Sequence, residues 1–279
     1  MPIHDQSYRR YRGNRARPGA AWAVIAWAGI RSLLARRLVL ALLAFAWMPF
    51  LVRAVQIYLS VNFGEIALLA PTAETFRDFL EQQNFFVFVV TIYIGAPLIA
   101  DDRRANALAL YLSKPLGRAE YVAGKLAILF AFLLFVTWLP AMSLLGVQMA
   151  FSGSAEFVAR NLFLIPAITL LSGLKVLLAS LTILALSSLS TSSRYVGMLY
   201  AGVIIFSDAM FQALRGATGG STAAWVSVIA NLSQVGDVIF RLPARYDTPW
   251  LLSALVTLGL LGLSIVVLER RVRAVEVIT

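Results

Sequence analysis

The 279 residues are 60% hydrophobic and only 14% charged, with a mean hydropathy of +0.80 and a formal net charge of +10. Ordinary soluble domains carry roughly 25% charged residues, so this is the composition of an integral membrane protein, with spans of about 20 apolar residues in one polytopic domain. No cysteine is present, which excludes disulfides, iron–sulfur clusters and a cysteine nucleophile, and the single histidine, His4, lies in the N-terminal arm, which excludes a histidine metal site or catalytic triad inside the bilayer.

Residues 1–21 are basic and polar with Gly and Pro, the composition of a flexible cytoplasmic arm. Arg9 and Arg10 are not followed by an apolar run, so the arm is expected to be retained rather than cleaved as a signal. Residues 22–37 combine Trp22, Ile25, Trp27, Ile30, Leu33 and Leu34 with Arg31, Arg36 and Arg37. That mixture predicts an interfacial helix on the inner leaflet, its arginines reaching anionic membrane lipid; the alternative is the start of the first span.

An all-α fold with six transmembrane helices follows, the spans lying near 38–60, 85–101, 126–150, 162–187, 195–213 and 249–268. Pro49, Pro97, Pro140 and Pro166 fall within or at the ends of these spans, where neighbouring helices can satisfy the freed backbone groups. Residues 61–84 contain a predicted short acidic helix opened by Thr72 and bearing Glu74, Asp78 and Glu81. Residues 214–248 pass from a flexible GATGGS to an apolar stretch interrupted by Asn231, Gln234 and Asp237. This stretch is too polar for a seventh span, and reads as a re-entrant helix pair or an interfacial cover.

Lys and Arg sort to the two sides of these spans unequally. One side holds Arg9, Arg10, Arg12, Arg15, Arg17, Arg31, Arg36, Arg37, Arg103, Arg104, Lys114, Arg118, Lys125, Arg194, Arg270, Arg271 and Arg273; the other holds Arg77, Arg160, Arg215, Arg241 and Arg245. The imbalance places both termini in the cytoplasm, with the chain in the cell (inner or plasma) membrane, and it accounts for the basic charge without nucleic acid.

Between the second and third spans lies a charged island of residues 97–126. Asp101 and Asp102 stand where a helix would begin, DDRRANALALYLSK has good helix formers, and Pro115 stops the run after Lys114. Leu108 and Leu112, four apart, share a face, while Arg103, Arg104 and Asn106 mark a polar surface. Such a helix inserts into a groove of a partner, or is an ordinary solvated loop.

Residues 100–125, ADDRRANALALYLSKPLGRAEYVAGK, resemble the intracellular segment of permease subunits of the ABC-2-type exporter family. That pattern runs acidic residue, Arg, Gly-Thr-Leu, Leu-Leu, Ser, basic residue, Pro, Ser-Arg, then Gly-Lys. Without a gap it meets Asp102, Arg103, Leu108, Ser113, Lys114, Pro115, Arg118, Gly124 and Lys125, and it departs at Asn106 and Ala107, in place of Gly-Thr, and at Gly117, in place of Ser. The resemblance implies that the 101–125 segment couples to a separate ATPase subunit through Asp102, Arg103, Arg104, Leu108, Leu112, Lys114, Pro115, Arg118 and Lys125, and that two permease subunits pair around a path. No phosphate loop is encoded: six residues separate Gly117 from Gly124, and Leu126 follows Lys125 where Ser or Thr is needed. The chain is therefore expected to be no enzyme and to carry no cofactor or metal of its own, ATP and Mg belonging to the partner. Its rivals are a membrane-embedded enzyme, for which no HExxH and no facing carboxylates are present, and a non-transporting anchor for a cytosolic partner. No residue selects a substrate.

Three ionisable residues fall in predicted spans. Arg53, Lys175 and Asp208 are costly at bilayer depth and serve either structure, by pairing or snorkelling, or the transport path. Lys175 lies about 20 Å from the outer end of its predicted span and Asp208 about 20 Å from the inner end of the next, a depth difference of about 10 Å across a core of about 30 Å, so that pairing needs a long lysine reach or a shifted boundary. Gly197 and Ala201, four apart, form a small-residue face for close helix contact within or between subunits.

Overall fold

The computed structural model describes residues 21–62, 72–106, 117–152, 157 and 161–272. Of these, 85% are helical and none is in a strand, and six helices are long and apolar enough to cross a membrane. The first span comprises α2 (Arg37–Ala46) and α3 (Met48–Asn62); the second joins α4 (Ala73–Gln82), α5 (Asn84–Val90), a π-helical turn (Thr91–Gly95) and α6 (Pro97–Arg104). The third is α7 (Arg118–Val136) with α8 (Trp138–Ser152), the fourth α9 (Leu164–Leu189), the fifth α10 (Ser193–Thr218) and the sixth α12 (Trp250–Arg271). The chain is a multi-pass membrane protein. Below, the end of the bundle that holds Arg104, Arg118 and Arg271 is called the basic end.

Burial ranks the spans by position. In its most apolar stretch the fourth span is 67% buried, against 17% for the first and 22% for the fifth, so the fourth is the axis and the other two present Leu51, Val55, Met198 and Phe206 outward. An outward apolar face is what a span surrounded by hydrocarbon requires. One apolar core gathers Ile99, Ile128, Leu133, Val176, Ile183 and Val196 from spans two to five. A second, at the opposite end, gathers Ile57, Phe76, Phe79, Leu144, Leu164 and Ile168.

The second span is one continuous 32-residue helical rod. The acidic helix predicted from Thr72 is its first part, capped as expected by the Thr72 hydroxyl accepting from the Thr75 N–H. Its π turn ends just before Pro97, which has no N–H to donate. The fourth span braces this stretch: the Ser187 hydroxyl donates to the Ala96 carbonyl at 2.7 Å and accepts from the N–H groups of Ile99 and Ala100 at 3.2 and 2.9 Å. Gly95 has no room for a Cβ against Ile183, and Gly197 of the fifth span sits against Ile92.

α1 (Ala21–Leu34) docks along the start of the third span, with Ile25 against Gly124 and Ile128 against Gly29. Trp22 and Trp27 remain exposed, as does Arg31. α1 is thus a helix separate from the first span and packed on α7.

The 214–248 segment resolves into structure. The fifth span continues to Thr218 and ends at Gly219, whose φ of 70° suits glycine at a helix C-terminus. The chain then runs back to the level of Asp208 and starts α11 (Val228–Ile239) with Ser227, whose hydroxyl accepts from the Ala230 N–H and donates to Asp208 at 3.0 Å. The three polar interruptions are what hold this turn. Asn231 donates to the Trp225 carbonyl, Gln234 bonds the backbone of Tyr246 and Thr248, and Asp237 meets two arginines.

Candidate functional site

The charged island is described on its two flanks, residues 97–106 and 117–126. Leu108, Leu112, Lys114 and Pro115, together with Ala107 and Ser113 of the pattern, lie outside the described residues. On the first flank one expectation is corrected. Asp101 and Asp102 do not open a helix; they sit in the last turn of the second span, because the apolar run continues without a break from Ile94 through Ala100 and carries the helix on to Arg104. Acidic side chains there oppose the helix dipole, and cations offset them: Arg104 lies 3.5 Å from Asp101, and Lys125 lies 2.6 Å from Asp102.

Asp102 is the centre of this flank. It takes the Lys125 ammonium and, at 2.7 Å, the Tyr121 hydroxyl, and Lys125 in turn lies 5.4 Å from the centre of the Tyr121 ring. Lys125 and Tyr121 are one turn apart on α7, so the cluster ties the end of the second span to the start of the third. Arg103 donates to the Ser188 carbonyl and ties the same turn to the end of the fourth. Asp102 and Lys125 are therefore engaged within the chain, while Arg104, Asn106 and Arg118 are exposed. The third span begins at Gly117, whose N–H is accepted by Glu120 at 3.1 Å, an acidic group favourably placed in a first turn. Asn106 stands just past the helix end with φ 52°, the left-handed region that glycine prefers and asparagine tolerates.

At the opposite end is a second ionic cluster that the linear sequence conceals. Arg77, almost wholly buried, lies 3.2–3.5 Å from Glu74, Asp78, Glu81 and Asp237. Arg245 reaches Glu81 at 2.8 Å and Asp237 at 3.7 Å. Two cations and four carboxylates thus join the start of the second span, α11 and the loop before the sixth span. The helical spacing of Glu74, Arg77, Asp78 and Glu81 is visible in the sequence; their link to Asp237 is not. In the same loop Asp247 accepts from the Ser221 hydroxyl at 2.7 Å and the Ser221 N–H at 3.1 Å, which hold its carboxyl below the usual range.

Of the intramembrane candidates, Arg53 bonds Gln56 at 3.2 Å, one turn away. Lys175 and Asp208 stand at nearly the same level, which corrects the expected offset. Lys175 precedes Leu189 by 14 residues and Asp208 follows Ser193 by 15, about 21 and 22 Å. The expected offset came from measuring the two from opposite ends across a core of about 30 Å, whereas each helix has 26 residues, about 39 Å. They nonetheless do not pair. Lys175 reaches the second span, donating to the Leu80 carbonyl at 2.8 Å and the Asn84 side-chain oxygen at 2.9 Å, and Asp208 accepts from Ser227. Gly197 packs within the chain against Ile92, and Ala201 is half-buried one turn along. Among the described residues no group of three or more His, Cys, Asp or Glu side chains is placed to hold a metal. Neither models of known protein families nor curated proteins match the sequence.

Proposed function

We propose that this chain is the membrane-spanning permease subunit of an ABC-2-type exporter, driven by a separate ATPase that docks on the charged island. The observation that carries the reading is the ungapped pattern from Asp102 to Lys125, whose two ends are joined by an ion pair at the junction of the second and third spans. Asn106 adds to it: the family pattern has glycine there, and the backbone adopts a left-handed conformation. A partner pressing on the island would act on the rigid ends of spans two, three and four together, because Asp102, Lys125, Tyr121, Arg103 and Ser188 link them. That is the arrangement needed to pass a two-state motion of a soluble subunit into a helix bundle.

On this reading both termini and the island face the cytoplasm, the chain works as a dimer, and ATP and Mg bind only to the partner. The contact surface begins with the exposed residues Arg104, Asn106 and Arg118, while Asp102 and Lys125 transmit from behind it.

The test is purification of the native complex with an affinity tag on this chain, followed by ATPase assay with Arg104→Glu and Arg118→Glu. An ATP-binding-cassette subunit should co-purify, and the double variant should lower its retention and its stimulated turnover about tenfold, the effect of removing two charged contacts from an interface. Co-purification of no ATPase, or stimulation unchanged by both reversals, overturns the proposal.

A further inference from the structure

A cavity of about 450 Å³ lies between the second, fourth, fifth and sixth spans and α11, away from both ionic clusters. Small-molecule sites have about this size. Its wall is almost wholly apolar, with Phe85 and Phe88 from the second span, Leu178 from the fourth, Val203 and Ile204 from the fifth and Leu232 from α11. Phe85 is 62% and Val203 39% exposed on the outer face of the bundle, so the cavity opens sideways, toward the apolar surroundings of the spans. Hydrocarbon fits such a wall and water gains nothing from it.

Lys175 is the one charged side chain among the described lining residues, and it is 3% exposed. An ammonium has three donors, and two of them are used, on the Leu80 carbonyl and the Asn84 oxygen. Both acceptors are neutral, and among the described residues no carboxylate lies within ion-pair distance of Lys175. A buried cation without a counter-ion is costly. The group that relieves it best is an anion accepting a charge-assisted hydrogen bond. Asn84 also lines the cavity, and because its oxygen faces Lys175 its amide N–H₂ is left as a second donor beside the first.

We propose that this cavity is a binding site for a single-chain amphipathic anion, a long-chain carboxylate. Its head lies at Lys175 and Asn84, and its tail runs among Phe85, Phe88, Val203 and Leu232. The sideways opening admits such a molecule from the bilayer without a passage through water. The site stands on its own geometry, whether or not an ATPase drives the chain.

Photoreactive diazirine palmitate, added to membranes holding the full chain with its native partners, is the probe, and the labelled peptides are read by mass spectrometry. Saturable labelling of the peptides around Phe85, Val203 and Leu232 is expected, displaced by unlabelled palmitate and at least about tenfold less well by hexadecanol, which lacks the charge. Lys175→Met should weaken the labelling about tenfold. Val203→Trp, a substitution on a partly exposed position that fills the cavity and leaves Lys175 in place, should remove it. Labelling spread evenly over all outward faces, equal displacement by palmitate and hexadecanol, stronger displacement by lysophosphatidate, or persistence in Val203→Trp would each overturn the proposal. So would cross-linking of two copies through a lone cysteine introduced as Val203→Cys with no palmitate label, since a second copy would then fill the space.

Discussion

At the scale of single residues, a polar group inside an apolar bundle can tie one helix to the backbone of another. Ser187 is the plainest case. Pro97 falls within the second span, and one hydroxyl from the fourth span bonds one carbonyl and two N–H groups of the backbone around it. Side-chain bonds between membrane helices are worth about 0.6–1.7 kcal/mol. Ser187→Ala should therefore lower stability by about 1–2 kcal/mol, read as a lower midpoint in denaturant titration of the detergent-solubilised protein, whereas Thr191→Ala, exposed just past the end of the same span, should leave it unchanged. Nothing in the sequence singles out Ser187 among its neighbours Ser180, Ser188 and Ser190. Its role depends on a contact with residues about 90 positions earlier in the chain.

At the scale of elements, the spans were legible because each is dominated by apolar residues over about the length that the bilayer core requires. Their ends were less legible. Apolar sequence carries the second span on to Arg104, the fourth to Leu189 and the fifth to Thr218, and for that reason Asp102 lies at a helix end; Lys175 comes level with Asp208 because the fourth span is longer than a core of about 30 Å. Asn231, Gln234 and Asp237, three apart, did signal that Val228–Ile239 is no ordinary span; their partners were hidden because Trp225, Tyr246 and Thr248 offer only backbone groups, which the side-chain pattern does not mark, and Arg77 lies in the second span. The Arg77 cluster gives this a measurable consequence. With two arginines and four carboxylates its formal charge is −2, so losing Arg77 moves it to −3, while neutralising Asp237 moves it to −1. Arg77→Met leaves the buried Asp237 carboxylate with only the longer Arg245 contact at 3.7 Å and should cost about 3 kcal/mol, the lower end of the penalty for breaking a buried pair from one side. Asp237→Asn should cost far less, and the double variant Arg77→Met with Asp237→Asn should recover part of the loss, a coupling that a thermal-stability double-mutant cycle reads directly. Additive losses would mean that the two side chains do not act as a pair.

For the whole molecule, the two ionic clusters lie at opposite ends of the second span, one binding it to spans three and four and the other to α11 and the loop before the sixth span. The basic end gathers Arg31, Arg36, Arg37, Arg103, Arg104, Arg118, Lys125, Arg194, Arg270 and Arg271, against Arg77, Arg215, Arg241 and Arg245 at the other. Two of those last four, Arg77 and Arg245, are already held by carboxylates, so the free positive charge is more one-sided than the count. Because Lys and Arg near span ends are retained on the cytoplasmic side, the orientation proposed for the exporter makes a prediction that needs no partner or substrate. The chain has no cysteine, so single introduced thiols report without background. Arg241→Cys, in an exposed turn at the less basic end, should react with a membrane-impermeant maleimide in intact cells, whereas Arg104→Cys and Arg271→Cys, both exposed at the basic end, should react only after permeabilisation. The opposite pattern would invert the bundle, put the island outside the cell and leave a cytosolic ATPase nothing to engage.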